Sequence, residues 1–171
     1  REKLNIPKDA FVFGRYGGFD TFDLQWTYKI IEDYLNTHSG VYFVFANTRP
    51  FSNHPNIRYV KEIVSKQGKS NFIRSCDAMI HARARGESFG LSIAEFLFHN
   101  KPVLAWEGGV DGNHKEMLAG SNTLYGPDDL ADKLTYTIEE ASKTNSSWRV
   151  SEFQPKPVME KFKEVFLDGL N

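Results

Sequence analysis

The chain has 171 residues, of which 40% are hydrophobic and 14% are aromatic, and its formal net charge is −1. This length fits a single domain, and the apolar content is sufficient for a bulky core. The nearly balanced charge argues against a basic surface that would bind nucleic acid or an anionic membrane. The sequence also contains no apolar run that approaches the ~20 residues needed to cross a bilayer as a transmembrane segment.

The cysteine content and the first residues bear on location. A single cysteine, Cys76, excludes an internal disulfide and is typical of a reducing compartment. The start Arg1-Glu2-Lys3 does not resemble a signal peptide, so we expect a cytoplasmic protein. Because this start lacks Met, we also expect the chain to be a piece of a longer protein.

The first predicted strand covers residues 11–16 and is followed by the pair Gly17-Gly18. Apolar residues at every fourth position then predict a helix that runs to Asn36, with Asp20 or Thr21 as its N-cap. Glycines between a strand and a helix let the backbone approach a phosphate at the helix N-terminus. The alternative interpretation of the same pair is an ordinary tight turn.

The next stretch predicts two strands, over residues 41–46 and 57–60, and then a short helix over residues 70–76. The first of these strands is apolar throughout, which is typical of a parallel strand that is buried on both faces. The second strand is shorter, and we expect it nearer the edge of the sheet.

Residues 77–106 predict a βαβ unit, which implies a parallel sheet. A short buried strand over residues 77–81 leads through a loop to a helix over residues 89–98. Asn100 tolerates a positive φ and is predicted to adopt the left-handed conformation just after the helix. A second buried strand follows over residues 103–106.

The last third of the chain predicts a glycine-rich loop, a strand over residues 123–125 and two helices. The loop contains Gly108, Gly109 and His114, and we rank this histidine behind the glutamates of the βαβ unit as a candidate acid or base. Asp128-Asp129 precedes a helix, so N-capping is a better interpretation than a metal-binding aspartate pair. A closing amphipathic helix is predicted over residues 157–170.

These elements predict a single α/β domain over residues 1–171. Its fold is a Rossmann-like, doubly wound parallel sheet of about six strands with helices on both faces. In open sheets of this kind, ligands bind outside the carboxyl ends of the strands. The loop with Arg83, Arg85, Glu87 and Gly90 is expected at that edge.

A resemblance rests on Glu87-Ser88-Phe89-Gly90-Leu91 followed by Glu95, with a strand before and a Lys-Pro-Val strand after. This pattern resembles the E-x7-E signature of retaining glycosyltransferases of family 4 and their GT-B relatives. In that family the loop and the helix start hold the sugar and the diphosphate of the donor, and the second glutamate binds the ribose. The resemblance covers nearly the whole chain.

The resemblance implies that Glu87 is the catalytic residue at the sugar and that Glu95 holds the ribose. The wider donor-binding set that it implies is Gly14, Arg15, Gly17, Gly18, Val60, Lys61, Arg83, Arg85, Ser88, Phe89, Gly90, Leu91, Glu95, Gly108 and Gly109. It also implies that the loop after the strand over residues 57–60 contacts the base, which makes Val60, Lys61 and Glu62 the candidates there. Outside this motif, we would interpret Glu95 as a solvent-facing helix residue and Glu87 as an acid favoured by the helix dipole.

The chain departs from the family at the first loop, where Gly-Arg is usually followed a few residues later by Lys-Gly. This sequence has no lysine near Arg15. Either an arginine of the central loop replaces that lysine or the donor is handled differently. Because side chains alternate along an extended chain, at most one of Arg83 and Arg85 is expected to face the phosphates.

The implied function is transfer of a sugar from a UDP- or GDP-type donor to a glycan or similar acceptor, with retention. The resemblance implies no metal or other cofactor, and it places the acceptor on an N-terminal domain that this chain lacks, so we expect the chain to be inactive alone. Two alternatives remain open. One is another GT-B enzyme, such as a nucleotide-sugar epimerase or a phosphorylase-like protein, and the other is a non-catalytic doubly wound binding or regulatory domain.

Overall fold

A six-stranded, fully parallel sheet forms the centre of the protein in the computed structural model, which describes residues 1–143 and 145–168. Its strand order is β3-β2-β1-β4-β6-β8. The strands are β1 (Phe11–Tyr16), β2 (Val41–Ala46), β3 (Ile57–Val60), β4 (Ala78–His81), β6 (Val103–Trp106) and β8 (Leu124–Tyr125). A separate parallel ribbon pairs β5 (Gly86–Glu87) with β7 (Asp111–Gly112).

Helices connect these strands and cover both faces of the sheet. They are α1 (Trp26–Thr37), α2 (Lys66–Ser75), α3 (Leu91–Phe98), α4 (Asn113–Met117), α5 (Leu130–Glu140) and α6 (Pro155–Phe166). Short 3-10 helices lie at Glu2–Leu4 and Ser147–Phe153. No helix in the described part of the chain combines the length and the apolar character required to span a bilayer.

The core consists of two layers because side chains alternate across each strand. Val12 and Met79 belong to the layer that also contains Ile73 of α2 and Phe96 of α3. The neighbouring strand residues point the other way, into the layer that contains residues of α1 and α5. Aromatic rings dominate that second layer, where the rings of Phe13 and Phe43 stack with centroids 5.0 Å apart. The predicted doubly wound sheet is confirmed.

The beginning of α1 corrects the sequence-based prediction. The helix begins at Trp26 without a side-chain cap, so the predicted caps Asp20 and Thr21 and the predicted first turn belong to the loop over residues 17–25. The backbone N–H groups of Asp23 and Leu24 donate to the carbonyl of Ala82 on the neighbouring chain segment, and Phe22 is buried in the core. These tertiary contacts hold the loop away from the helical path that the apolar spacing predicted.

Smaller differences occur elsewhere. Helix α2 begins at Lys66, where Ser65 caps it by accepting from the N–H of Gly68, and not at residue 70 as predicted. Asn100 follows α3 with a φ of 56°, which confirms the left-handed prediction. Helix α6 begins two residues earlier than expected, and residues 169 and 170 at the end of the predicted closing helix lie outside the described residues.

The strand order changes direction between β1 and β4. From β1 the chain moves outward through β2 to β3, whereas from β4 it moves the opposite way through β6 to β8. The connections therefore leave a crevice above the carboxyl ends of β1 and β4, which is where ligands bind in open α/β sheets.

Gly14 lies inside β1, and the structure gives it a packing role. A β-carbon at this position would lie 2.3 Å from Cys76 Sγ and 3.3 Å from the ring of Phe96. We therefore expect Gly14→Ala to lower the free energy of unfolding by about 1–3 kcal/mol, the usual cost of overpacking a core. Urea unfolding followed by circular dichroism measures this change.

Gly40→Ala is the matched control, because the described residues other than Gly40 and its two chain neighbours place no atom within 4 Å of a β-carbon built at Gly40. This variant should keep or slightly raise the stability of the parent, since alanine restricts the unfolded chain. Equal stability of the two variants would contradict the packing role of Gly14.

Candidate functional site

A cleft of about 360 Å³ occupies the crevice above β1 and β4. Residues from five segments of the chain meet there, although they lie far apart in sequence. They are Arg15, Tyr16, Gly17, Gly18, Thr21, Asn47, Glu62, Ile63, Lys69, His81, Arg83, Glu87, Leu91, Ser92 and Glu95. Both glutamates of the E-x7-E pattern are among them, so the structure brings these two carboxylates to one cleft.

Arg15 forms the base of this cleft at the end of β1, and only 4% of its surface is exposed. Its guanidinium donates to the carbonyls of Asn47 and Gly18, at 3.1 and 2.9 Å, and to the hydroxyls of Thr48 and Thr21, each at 2.5 Å. Burial lowers the pKa of this guanidinium to about 10, with the charges of Glu87 and Asp23 opposing the shift. It therefore remains a cation at neutral pH.

The glycine pair after β1 lines the cleft as expected, but the reason is local packing. A β-carbon at Gly17 would lie 2.8 Å from the guanidinium of Arg15, so glycine permits the loop to close over that side chain. The carbonyl of Gly17 also accepts from the side-chain amide of Asn47, at 2.8 Å. The pair does not abut a helix N-terminus, because α1 begins eight residues after Gly18.

Glu87 is held by two donors, one on each carboxylate oxygen. His81 Nε2 lies 3.0 Å from Oε1, and Arg83 Nη1 lies 3.0 Å from Oε2. Burial tends to raise the pKa of Glu87, but the hydrogen bond from His81 and the charge of Arg83 outweigh it, so the pKa is lower than usual. Glu87 is thus an ionised acceptor with lone pairs left for ligand hydroxyl groups.

His114 is fully buried and supports the site from behind. Its Nδ1 accepts from the backbone N–H of Glu87 at 3.3 Å, and its Nε2 lies 2.9 Å from the carbonyl of Trp106. Both ring nitrogens are therefore used by the backbone. The candidate role of His114 as a ligand-facing acid or base is wrong, because this ring links β5 to the end of β6.

Glu95 presents the second carboxylate from the second turn of α3. Its Oε1 lies 3.8 Å from Lys69 Nζ, and its buried Oε2 has no hydrogen-bond partner among the residues that the structure describes. Burial raises the pKa of Glu95 above the usual range. A buried oxygen without a donor is unfavourable, so a ligand hydroxyl at this position would be stabilising.

The start of α3 offers backbone donors to the same cleft. Gly90 precedes the helix with a φ of 85°, and no side chain caps the first turn. Leu91 and Ser92 of that turn line the cleft. Uncapped N–H groups at a helix start favour anions, both by hydrogen bonding and through the helix dipole.

Other predicted site residues lie outside the cleft. Arg85 is turned away and pairs with Asp111, with 2.6 Å between Nε and Oδ2, whereas Arg83 faces the cleft. Gly109 packs on the backbone of Arg85, Gly108 packs on the ring of Trp106, and Gly14 is covered by Cys76. The remaining members of this group that do not line the cleft are Val60, Lys61, Ser88, Phe89 and Gly90.

Sequence reasoning missed several residues that line the cleft, among them Asn47, Ile63, Lys69 and His81. Of the three candidates for contact with the base, Glu62 lines the cleft beside Ile63, whereas Val60 and Lys61 do not. Asn47 adopts a φ of 49°, a conformation that asparagine tolerates. The residue type alone did not mark this position as part of a site. Nothing in the sequence marked Lys69 as a site residue, because the residues around it are typical of an ordinary surface helix.

Within residues 1–143 and 145–168, no three His, Cys, Asp or Glu side chains are grouped in a way that could hold a metal ion. The charged groups that the cleft itself offers are Arg15, Lys69, Arg83, Glu62, Glu87 and Glu95.

Comparison with solved structures finds glycosyltransferases. HepE of Anabaena, solved with UDP-glucose, matches with a TM-score of 0.72 and 18% identity over 99% of this chain and 51% of its own. A glycosyltransferase from Rickettsia africae matches with a TM-score of 0.71 and 16% identity over 98% of this chain and 50% of its own. The C-terminal domain of LpcC, a glycosyl transferase group 1 family protein of Francisella tularensis, matches with a TM-score of 0.62 and 16% identity, over 94% of this chain and 90% of its own.

No protein-family model and no curated protein match this sequence. The chain spans about half the length of the HepE and Rickettsia proteins, and it has the extent of the Francisella C-terminal domain. At these identities the likeness establishes the fold. The chain therefore has the fold of a GT-B, group 1-like glycosyltransferase domain, as the resemblance in its sequence implied.

His81 makes the stability of this site depend on pH. The ring is 5% exposed, its Nε2 contacts Glu87, and its Nδ1 has no partner among the described residues. Burial lowers the pKa of His81, so the folded chain takes up this proton less readily than the unfolded chain. The resulting stability is fully present above the unfolded pKa of about 6.5 and is lost as the pH falls below it.

We therefore expect the free energy of unfolding of the parent to decrease between pH 8 and pH 5.5. His81→Gln keeps a donor for Glu87 and cannot titrate, so this variant should lose less stability over the same interval. Urea unfolding at the two pH values measures the difference. An identical decrease in parent and variant would assign the pH dependence to other groups.

Proposed function

We propose that this chain is the donor-binding domain of a glycosyltransferase that transfers a sugar from a nucleotide-diphosphate sugar to a glycan or similar acceptor, with retention. The observation that carries the proposal is the cleft at the β1–β4 crevice, where Glu87, Glu95 and the cations Arg15, Lys69 and Arg83 meet. A nucleotide sugar needs both kinds of group, because its hydroxyl groups donate hydrogen bonds to carboxylates and its diphosphate accepts them from cations and oriented amide N–H groups.

The two glutamates differ in ways that fit different parts of a donor. Glu87 is already ionised and fixed by His81 and Arg83, which suits an acceptor that orients sugar hydroxyls. Glu95 keeps a buried oxygen without a donor, which suits the vicinal hydroxyls of a ribose. We propose that the base lies near Glu62 and Ile63, which line the cleft, whereas the other two predicted base contacts, Val60 and Lys61, do not.

The diphosphate is proposed to lie between Arg83 and the first turn of α3. Negative charge grows on a nucleotide diphosphate as it leaves, and donors that already point at it lower the barrier. In this proposal those donors are protein groups and not a resident metal ion. Arg15 adds positive charge beneath the cleft. Its guanidinium does not bind the diphosphate directly in this proposal, because its four hydrogen bonds go to the loops that shape the cleft.

In our proposal, acceptor binding and sugar transfer require a second domain in addition to this chain. Similar proteins have about twice its length, and we propose that an N-terminal domain supplies the acceptor side of the site, so that the chain alone binds donor without transferring sugar. A cytoplasmic location fits the single buried Cys76.

Titration of the chain with UDP, GDP, uridine and guanosine by calorimetry tests the proposal. One diphosphate should bind clearly more tightly than its nucleoside, because the diphosphate contributes contacts of its own. A non-catalytic regulatory domain has no reason to prefer nucleotide diphosphates. Absence of binding to both UDP and GDP would overturn the proposed function.

Removal of the Glu95 carboxylate should weaken the preferred nucleotide diphosphate by about 1–3 kcal/mol, which is the scale of lost hydrogen bonds to a charged group. We expect Glu95→Ala to weaken the nucleoside to a similar extent, since both ligands carry the ribose. Glu139→Ala, an exposed glutamate on α5, is the control and should bind like the parent. Unchanged affinity in a folded Glu95→Ala chain would reject the ribose role.

The two arginines of the central loop should behave differently. Arg83 faces the cleft, whereas Arg85 is bound to Asp111 outside it, so Arg83→Ala should weaken the diphosphate about tenfold relative to the nucleoside. Arg85→Ala is the matched control and should change neither affinity by more than about twofold. The opposite ranking, measured by the same titrations, would place the diphosphate on the other side of the loop.

A further inference from the structure

We infer that Lys69 of α2 supplies the cation that the loop after β1 lacks, by binding the phosphate nearest the ribose. The inference rests on the proposed nucleotide site and adds a residue that the sequence pattern gives no reason to select. It begins from the absence of a lysine near Arg15 in a loop that also fails to reach a helix N-terminus.

Lys69 reaches the cleft because of the way α2 begins. Ser65 caps the helix, and the turn that follows places Lys69 on the same face as Phe72 and Ile73, which pack into the core. The lysine stem is therefore directed inward, and only 32% of the side chain is exposed. A lysine on the outer face of this helix would extend into solvent.

The ammonium of Lys69 lies between two parts of the proposed nucleotide site. Its Nζ is 3.8 Å from Oε1 of Glu95, the proposed ribose anchor, and 5.6 Å from the centre of the Tyr16 ring. Tyr16 ends β1 and leads directly into the Gly17-Gly18 loop. A nucleotide that enters between α3 and this loop would bring the phosphate on its ribose close to Lys69.

Among the described residues, Lys69 is also the cleft cation that donates no hydrogen bond to a protein acceptor. Arg15 donates four hydrogen bonds to protein acceptors, and Arg83 donates to Glu87. Lys69 makes no side-chain hydrogen bond within the described residues, and its 3.8 Å separation from Glu95 is longer than a hydrogen bond. When ribose hydroxyl groups bind Glu95, the flexible ammonium of Lys69 can turn toward the phosphate. The hydrogen bond it forms there is strong because both groups are charged.

The test compares Lys69→Met with Lys69→Arg in the 171-residue chain, using calorimetric titration with UDP, GDP, uridine and guanosine. Methionine keeps the stem on Tyr16 and removes the charge, whereas arginine keeps the charge. We expect Lys69→Met to bind the preferred diphosphate about 10- to 100-fold less tightly, with the nucleoside nearly unchanged, and Lys69→Arg to recover most of the loss. Lys66→Met, an exposed lysine one turn earlier, is the control and should bind like the parent.

The outcomes separate this inference from the function on which it rests. If the parent binds neither UDP nor GDP, the proposed nucleotide site itself fails. If the parent binds a diphosphate and Lys69→Met binds it equally well, only the role of Lys69 is overturned. Equal weakening of diphosphate and nucleoside would also overturn it, because Lys69 would then act on Glu95 or on the base and not on a phosphate.

Discussion

The buried guanidinium of Arg15 is the interaction on which the shape of the cleft depends. Moving a cation out of water costs several kcal/mol, and only well-placed partners offset that cost. Arg15 finds them in two separate loops, through Thr21 and Gly18 on one side and through Asn47 and Thr48 on the other. The same bonds that satisfy the charge therefore fix both loops, and they leave a permanent positive potential beneath the opening.

The reversal of strand order places an open space above this buried charge. Because β1 and β4 are neighbours whose connections leave in opposite directions, the space above them remains open. The loop after β4 brings Glu87 into that space, and α3 brings Glu95. The two carboxylates then acquire different properties from their surroundings, since donors surround Glu87 and lower its pKa while burial raises the pKa of Glu95. Two residues of the same type thus become chemically distinct carboxylates.

The order of strands and helices could be predicted from local pattern, since apolar runs and turn residues act over short distances. Strands β1, β2, β3 and β6 match the predicted ranges residue for residue. The prediction failed where distant segments compete with local preference. Phe22 continues the helical spacing of Trp26, Ile30 and Tyr34, yet backbone bonds from Asp23 and Leu24 to Ala82 hold this stretch as a loop. The β5–β7 ribbon was missed for the same reason, because its partners are 25 residues apart.

For the site, the sequence by itself determined three candidates. The resemblance to the E-x7-E pattern selected Glu87 and Glu95, and Arg15 was selected because it ends a predicted strand at the ligand edge of a parallel sheet. The sequence also limited Arg83 and Arg85 to one cleft-facing member, since side chains alternate along an extended chain. Only the tertiary structure decided that Arg83 is that member, that His114 is a buried support, and that Lys69 lies beside Glu95. The physical reason is that α2 and α3 meet through core packing against β1, and no spacing along the chain encodes which side chains that packing brings together.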